Sequence, residues 1–144
     1  MYVLLADDQT RVRFALRVLL EQQVGLQVMG EAADASELLA LAHKTCPDLV
    51  LLAWGLPGLP MNELLSALHL TCPHALAVAL SERQEFRQEA LDAGADAFVS
   101  KINPPERLLA VIEDCWRKWR IGHPGVGPQG FQGQHQVSPA SSGA

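Results

Sequence analysis

The feature that most constrains this chain is a regular alternation of short apolar runs with longer segments of helical period. Residues 2–6, 26–32, 49–53, 75–80 and 97–100 are apolar runs of strand length. Three of the five are apolar at nearly every position, as strands must be when helices cover both faces of their sheet. The intervening segments carry leucine stripes, with Phe14, Leu16, Val18, Leu19 and Leu20 in the first and Leu38, Leu39, Leu41 and Ala42 in the second. The pattern is (βα)5, which predicts an α/β fold with a doubly wound, parallel, five-stranded sheet. Such a sheet has right-handed crossovers and gathers functional groups at the carboxyl ends of its strands.

Local signals agree with this division. Pro57 to Pro60 breaks the chain after the third strand, and Asn62 is placed to cap the next helix. Asn103 followed by Pro104 reads as an N-cap with proline at the first helical position. Thr45-Cys46-Pro47 and Thr71-Cys72-Pro73 end two helices just before strands. Proline's block on helix continuation is enough to explain both, and two tripeptides do not make a repeat.

With 144 residues, of which 49% are hydrophobic, there is material for one core and no room for a second folded domain. Residues 1–120 are expected to form the domain. Residues 121–144 hold no Lys, Arg, Asp or Glu and are rich in Gly, Pro, Gln and Ser, so they are expected to be a disordered tail. A net charge of −5 without a basic run argues against direct nucleic-acid binding. The Met1-Tyr2 start lacks a basic lead, and its apolar run stops at Asp7-Asp8, so neither a signal peptide nor a membrane span is expected. Cys46, Cys72 and Cys115, odd in number and widely spaced, fit neither a disulfide framework nor a zinc motif and point to a cytoplasmic protein.

The chemistry-bearing residues fall where the fold would converge them. Asp7 and Asp8 end the first strand, Ser81 the fourth and Lys101 the fifth. Each alone has a plain explanation, as a helix cap or a solvated lysine; together, two acids, a hydroxyl and an ammonium share one crevice. At this point the chain resembles the receiver domain of bacterial response regulators, in particular the branch that precedes LuxR/NarL-type DNA-binding domains. The resemblance covers Tyr2 to Trp119 and rests on VLLADDQTRVRFALRVLLEQ, VMGEAADASELLALA, CPDLVLLAWGLPGLP and LDAGADAFVSKINPPERLLAVI. It implies a flavodoxin-like receiver fold, with Asp7 and Asp8 where the family binds Mg²⁺ and Ser81 and Lys101 where it contacts the phosphoryl group. It also places Phe98 where many receivers carry an aromatic that swings on activation, although a core role explains the same residue.

The resemblance puts the family's acceptor aspartate at position 53, and this sequence has Ala53 there. A methyl group cannot attack phosphorus or ligate a metal, so aspartyl-phosphate chemistry is excluded at that position. Asp48 lies at the opposite end of the same strand, about 3.3 Å per residue away. Without a third carboxylate, Mg²⁺ would be held weakly at most, by Asp7, Asp8 and the Gly55 carbonyl, and no cofactor is required. Glu82 reads as a solvated loop residue that has the length to reach Lys101.

The leading expectation is therefore a non-enzymatic pseudo-receiver that signals by protein–protein interaction, with an unidentified signalling protein or a second copy as its partner. Trp116, Arg117 and Trp119 are a candidate interface, since Trp and Arg are over-represented at binding hot spots; core packing for Trp116 is the alternative. Two other classes stand beside it. One is a phosphoacceptor that uses another residue, or whose aspartate was replaced at position 53 by engineering. The other is a small flavodoxin-like enzyme, disfavoured because Asp7-Asp8 stands where a phosphate would need a glycine-rich loop.

Overall fold

The computed structural model describes residues 1–122, with side chains through Lys118. Strands β1 (Tyr2–Ala6), β2 (Gln27–Ala32), β3 (Leu49–Ala53), β4 (Leu76–Ser81) and β5 (Ala97–Ser100) alternate with five helices. These are α1 (Thr10–Glu21), α2 (Ala35–Thr45), α3 (Met61–Thr71), α4 (Arg87–Asp92, after a 3₁₀ turn at Gln84–Phe86) and α5 (Pro105–Gly122). The strands form one parallel sheet in the order β2-β1-β3-β4-β5. The chain reverses its direction of travel across the sheet between β1 and β3. A crevice therefore opens at the carboxyl ends of those two strands, next to Asp7 and Ala53.

Side-chain alternation along the strands divides the core in two. Leu4, Ala6, Val50, Leu52, Ala77, Ala79 and Phe98 meet Leu38 and Ala42 of α2, Leu64, Leu65 and Leu68 of α3, and Ala90 of α4. Val3, Leu5, Leu49, Leu51, Val78, Leu80 and Val99 meet Leu20 of α1 and Leu108, Ile112, Cys115 and Trp116 of α5. All five residues of β3 are buried, which accounts for its unbroken Leu-Val-Leu-Leu-Ala run. Each of its leucines contributes about 1.5–3 kcal/mol by burial.

Several local expectations are corrected. β2 begins at Gln27, because the Leu26 amide closes a turn onto Gln23 O while the Gln27 amide joins Met1 O in the ladder. Asn62 lies inside α3, whose N-cap is Pro60 without a side-chain cap. The Asn103 amide closes a turn onto Ser100 O, and α5 starts one residue late, with Pro105 at its first position. On α1, Leu20 is fully buried, but Phe14 and Val18 are 66% and 40% exposed, so the stripe there is wider than the face the sheet covers. Backbone helix continues through Gly122, two residues past the expected domain end. The rest of the expected tail, 123–144, lies outside the described residues.

Candidate functional site

β1 delivers Asp7 to the crevice and fixes it there. The Asp7 amide donates to Ala32 O at 3.0 Å, prolonging the pairing of β1 with β2. The side chain is 1% exposed and both carboxylate oxygens are engaged: Oδ1 accepts the Gln9 amide at 2.9 Å, and Oδ2 accepts Lys101 Nζ at 2.7 Å. Arg13, on the first turns of α1, donates to the Asp7 carbonyl at 2.6 Å and to Glu31 Oε1 at 3.1 Å. A buried carboxylate is tolerable only with such a partner set. Asp8, by contrast, is exposed.

β3 ends in Ala53, 5% exposed and in register with Leu80. It joins Asp8, Trp54, Gly55, Ser81, Glu82 and Lys101 around a cleft of about 190 Å³. Gly55 carries φ +98°, a left-handed conformation that glycine adopts without strain and that turns the chain out of the cleft. Trp54 reaches across to α4, its indole Nε1–H donating to Glu89 Oε2 at 2.9 Å, and so walls one side. The Ser81 hydroxyl is buried and accepts the Arg83 amide at 3.0 Å, closing the turn after β4.

Asp7, Asp8, Ala53, Gly55, Ser81 and Lys101 therefore do come together. Glu82 is exposed on the rim, and Lys101 turns to Asp7. Asp48 lies at the far end of β3, where its carboxylate accepts the Tyr2 amide at 2.7 Å. Phe98 is 5% exposed inside the core under α4, away from the cleft.

The candidate interface at the end of α5 is corrected in part. Trp116 is 7% exposed and completes the α1/α5 side of the core, because it falls one turn after Ile112 on the sheet-facing stripe. Arg117 is exposed and pairs with Asp114. The Trp119 side chain lies outside the described residues.

Sequence reasoning missed Arg13, whose side chain turns in to the Asp7 carbonyl, and Glu89, whose exposed carboxylate holds Trp54. Their signal is weak, since arginines and glutamates on helices are common and only the fold shows which of them reach the site. It also missed a groove of about 490 Å³ between α1 and α5, lined by Val12, Ala15, Leu16, Leu19, Pro105 and Leu108 among others.

The donor set fits a divalent cation poorly. Asp7 is committed to Lys101 and Gln9, Ala53 offers no side-chain oxygen, and the carboxylates left on the cleft are those of Asp8 and the rim residue Glu82, with Gly55 beside them. Among the described residues no group of three or more His, Cys, Asp or Glu side chains is placed to hold a metal ion.

An open, doubly wound parallel sheet with acids after β1 and a lysine after β5 places the chain in the receiver-like class of α/β domains. Residues 3–113 match the response regulator receiver domain family, and the chain belongs to it. It is 33% identical over 117 residues to the uncharacterized transcriptional regulatory protein YxjL of Bacillus subtilis, covering 80% of this chain and 54% of that protein. It is 30% identical over 146 residues to the response regulator GacA of Pseudomonas aeruginosa, covering 97% of this chain and 68% of that one. Among solved structures, a LuxR-family two-component response regulator from Aurantimonas sp. SI85-9A1 superposes with TM-score 0.73 at 33% identity, covering 78% of this chain and 82% of that one. A CheY-like receiver domain protein from Methanospirillum hungatei JF-1 does so with TM-score 0.75 at 28% identity, covering 84% and 97%. The chain spans about half the length of the first two curated relatives it matches. Among the described residues, no helix is long and apolar enough to cross a membrane.

Proposed function

We propose that this receiver domain signals without phosphorylation of its β3 position, as a cytoplasmic, non-enzymatic adaptor that works by binding another protein. The observation that carries this reading is Ala53, a residue with no side-chain oxygen, on the lining of the cleft at the carboxyl end of β3, beside a lysine already paired with a buried aspartate. Phosphoryl transfer needs a nucleophile in line with phosphorus and positive charge free to receive the phosphoryl oxygens. Ala53 supplies no nucleophile, and the Lys101–Asp7 pair ties up the cation. A state set in this way changes through what binds the domain, since only differential binding shifts a conformational equilibrium. Support for a partner comes from the apolar surface of α1, where Phe14 and Val18 remain uncovered.

The test is intact-mass analysis of the 144-residue chain after incubation with acetyl phosphate and Mg²⁺. No added phosphoryl group is expected. A single hydroxylamine-labile phosphoryl adduct would place an acceptor elsewhere and overturn the reading.

A further inference from the structure

In this fold the helices that lead into β3 and β4 end at the amino edge of the sheet, opposite the cleft. α2 and α3 pack side by side on one face and end in the same tripeptide, Thr-Cys-Pro. The two ends are built alike. The Thr45 hydroxyl donates to Leu41 O and the Thr71 hydroxyl to Ala67 O, both at 2.8 Å. Cys46 and Cys72 are the two C-caps, their amides donating to Ala42 O at 2.9 Å and to Leu68 O at 2.8 Å.

The two cysteines meet at one atom. The Cys72 thiol donates to Ala42 O at 3.2 Å, the same carbonyl that receives the Cys46 amide. One oxygen on the last turn of α2 therefore has the backbone of one cysteine and the sulfur of the other as neighbours. Cys46 is exposed and Cys72 is buried. Burial first, and the neighbouring Cys46 thiol second, push the Cys72 thiol up to about 11. Cys46 also has φ +45°, a left-handed conformation uncommon for a residue with a side chain. Cys115 packs beyond the opposite face of the sheet, so it has no access to either.

We propose that Cys46 and Cys72 are a redox-modification site, forming a reversible intramolecular disulfide that ties the end of α2 to the end of α3, with a low-molecular-weight disulfide as the oxidant. Cys46 is the attacking residue because solvent reaches it. Its thiolate attacks one sulfur of the small disulfide, forming a mixed disulfide on Cys46 and expelling one thiolate, which takes up the proton Cys46 lost. The Cys72 sulfur then attacks the Cys46 sulfur, the second small thiol leaves with the proton Cys72 lost, and the Cys46–Cys72 bond remains. Two protein thiols are oxidised and one small disulfide is reduced to two thiols, so protons and electrons balance. Such bonds in a reducing compartment are transient and redox-responsive, and a surplus of small thiol reverses this one.

The experiment incubates the full chain with oxidised glutathione, quenches with an alkylating agent, and reads intact mass and non-reduced peptide maps. The expected product has lost two hydrogen atoms, carries no glutathione, yields a Cys46–Cys72 linked peptide pair and reverts with dithiothreitol. Cys72→Ala is expected to stop at one glutathione on Cys46, and Cys46→Ala to leave position 72 unmodified. Wild-type protein that also stops at a glutathione adduct on Cys46, or that links to a second chain through Cys46, overturns the proposal. That outcome is read on the wild-type chain alone, so it holds even if a variant folds poorly.

Discussion

The two ends of the sheet use the same residue type for opposite purposes. At the amino edge, Asp48 and Asp96 each accept the backbone amide of a neighbouring strand, Tyr2 at 2.7 Å and Ala77 at 2.8 Å. These acids finish the ladder where strand pairing runs out. At the carboxyl edge, Asp7 is held by a lysine ninety-four positions away in the chain, and Asp8 stands free in solvent. An acid bonded to backbone serves the architecture. An acid bonded to a distant side chain, with a second acid beside it, belongs to the candidate site. The difference separates fold from function within one sheet.

The largest effect that bears on this comparison is expected at Asp7 and Lys101. Removing one member of a buried ion pair leaves the other charged and unpartnered, at a cost of about 3–5 kcal/mol. Asp7→Ala and Lys101→Met are each expected to lose stability on that scale in urea denaturation, while the exposed Asp8→Ala stays within about 0.5 kcal/mol of wild type. The double variant Asp7→Leu/Lys101→Met is expected to recover most of the loss, because an apolar pair of similar volume carries no desolvation penalty. Equal costs at Asp7 and Asp8 would erase the distinction drawn between them.

Ala53→Asp sharpens the same contrast from the reactive side. A third carboxylate competes with Asp7 for Lys101 and repels both acids, so in chelator the variant is expected to lose about 1–4 kcal/mol, the Coulomb energy of two charges ~4 Å apart at surface-like dielectric constants. Mg²⁺ is expected to restore the loss by binding only the folded state. Thermal melts with and without Mg²⁺ read this out, and acetyl phosphate is then expected to add one phosphoryl group. Absence of both effects, even with Glu82→Ala to open the rim, would mean that the cleft residues do not act together.

Much of this was legible in the sequence because strand identity and site position depend on local pattern. The unbroken run Leu49–Ala53 announces a strand covered on both faces, and Asp7, Ser81 and Lys101 each follow such a run directly. What stayed hidden depends on long-range geometry. Nothing in the sequence around Lys101 says that it turns to Asp7 rather than to Glu82, or that Arg13 bonds the Asp7 carbonyl. Trp116 and Arg117 look alike as interface residues, and only the direction of α5 buries the first and exposes the second. The paired Thr-Cys-Pro steps were visible as punctuation, but the meeting of their cysteines requires α2 and α3 to lie side by side.

A smaller effect tests the architectural end. Asp48→Ala removes the acceptor of the Tyr2 amide, and Asp96→Ala that of the Ala77 amide. Each is expected to cost about 1–2 kcal/mol, the range for a hydrogen bond to a charged group with partial access to water. Neither change is expected to alter the response of Ala53→Asp to Mg²⁺, since both lie at the opposite edge of the sheet. A double-mutant coupling above about 0.5 kcal/mol between Asp48→Ala and Ala53→Asp would show that the two ends are not independent.

The smallest expected effect concerns Glu31, which fits neither end. It lies on the edge strand β2, where Arg13 and Arg17 of α1 both bond its carboxylate and so pin α1 to the sheet. The Arg17 hydrogen bond, opposed by burial and reinforced by Arg13, holds the Glu31 carboxyl below its ordinary value of 4.5. A depressed folded value means that protonation opposes folding. The stabilisation is therefore present above 4.5 and disappears as pH falls through the lowered folded value. The pair is partly exposed, with 27% of the Glu31 side chain open to solvent, so Glu31→Gln is expected to cost only about 0.2–1 kcal/mol near neutral pH. Urea denaturation across the acid range should bring wild type and variant together as Glu31 protonates, because the wild-type side chain then carries no charge for the arginines to bind. A gap that stays constant through that range would assign the effect to packing of the side chain, and the arginines would have no electrostatic part in holding α1.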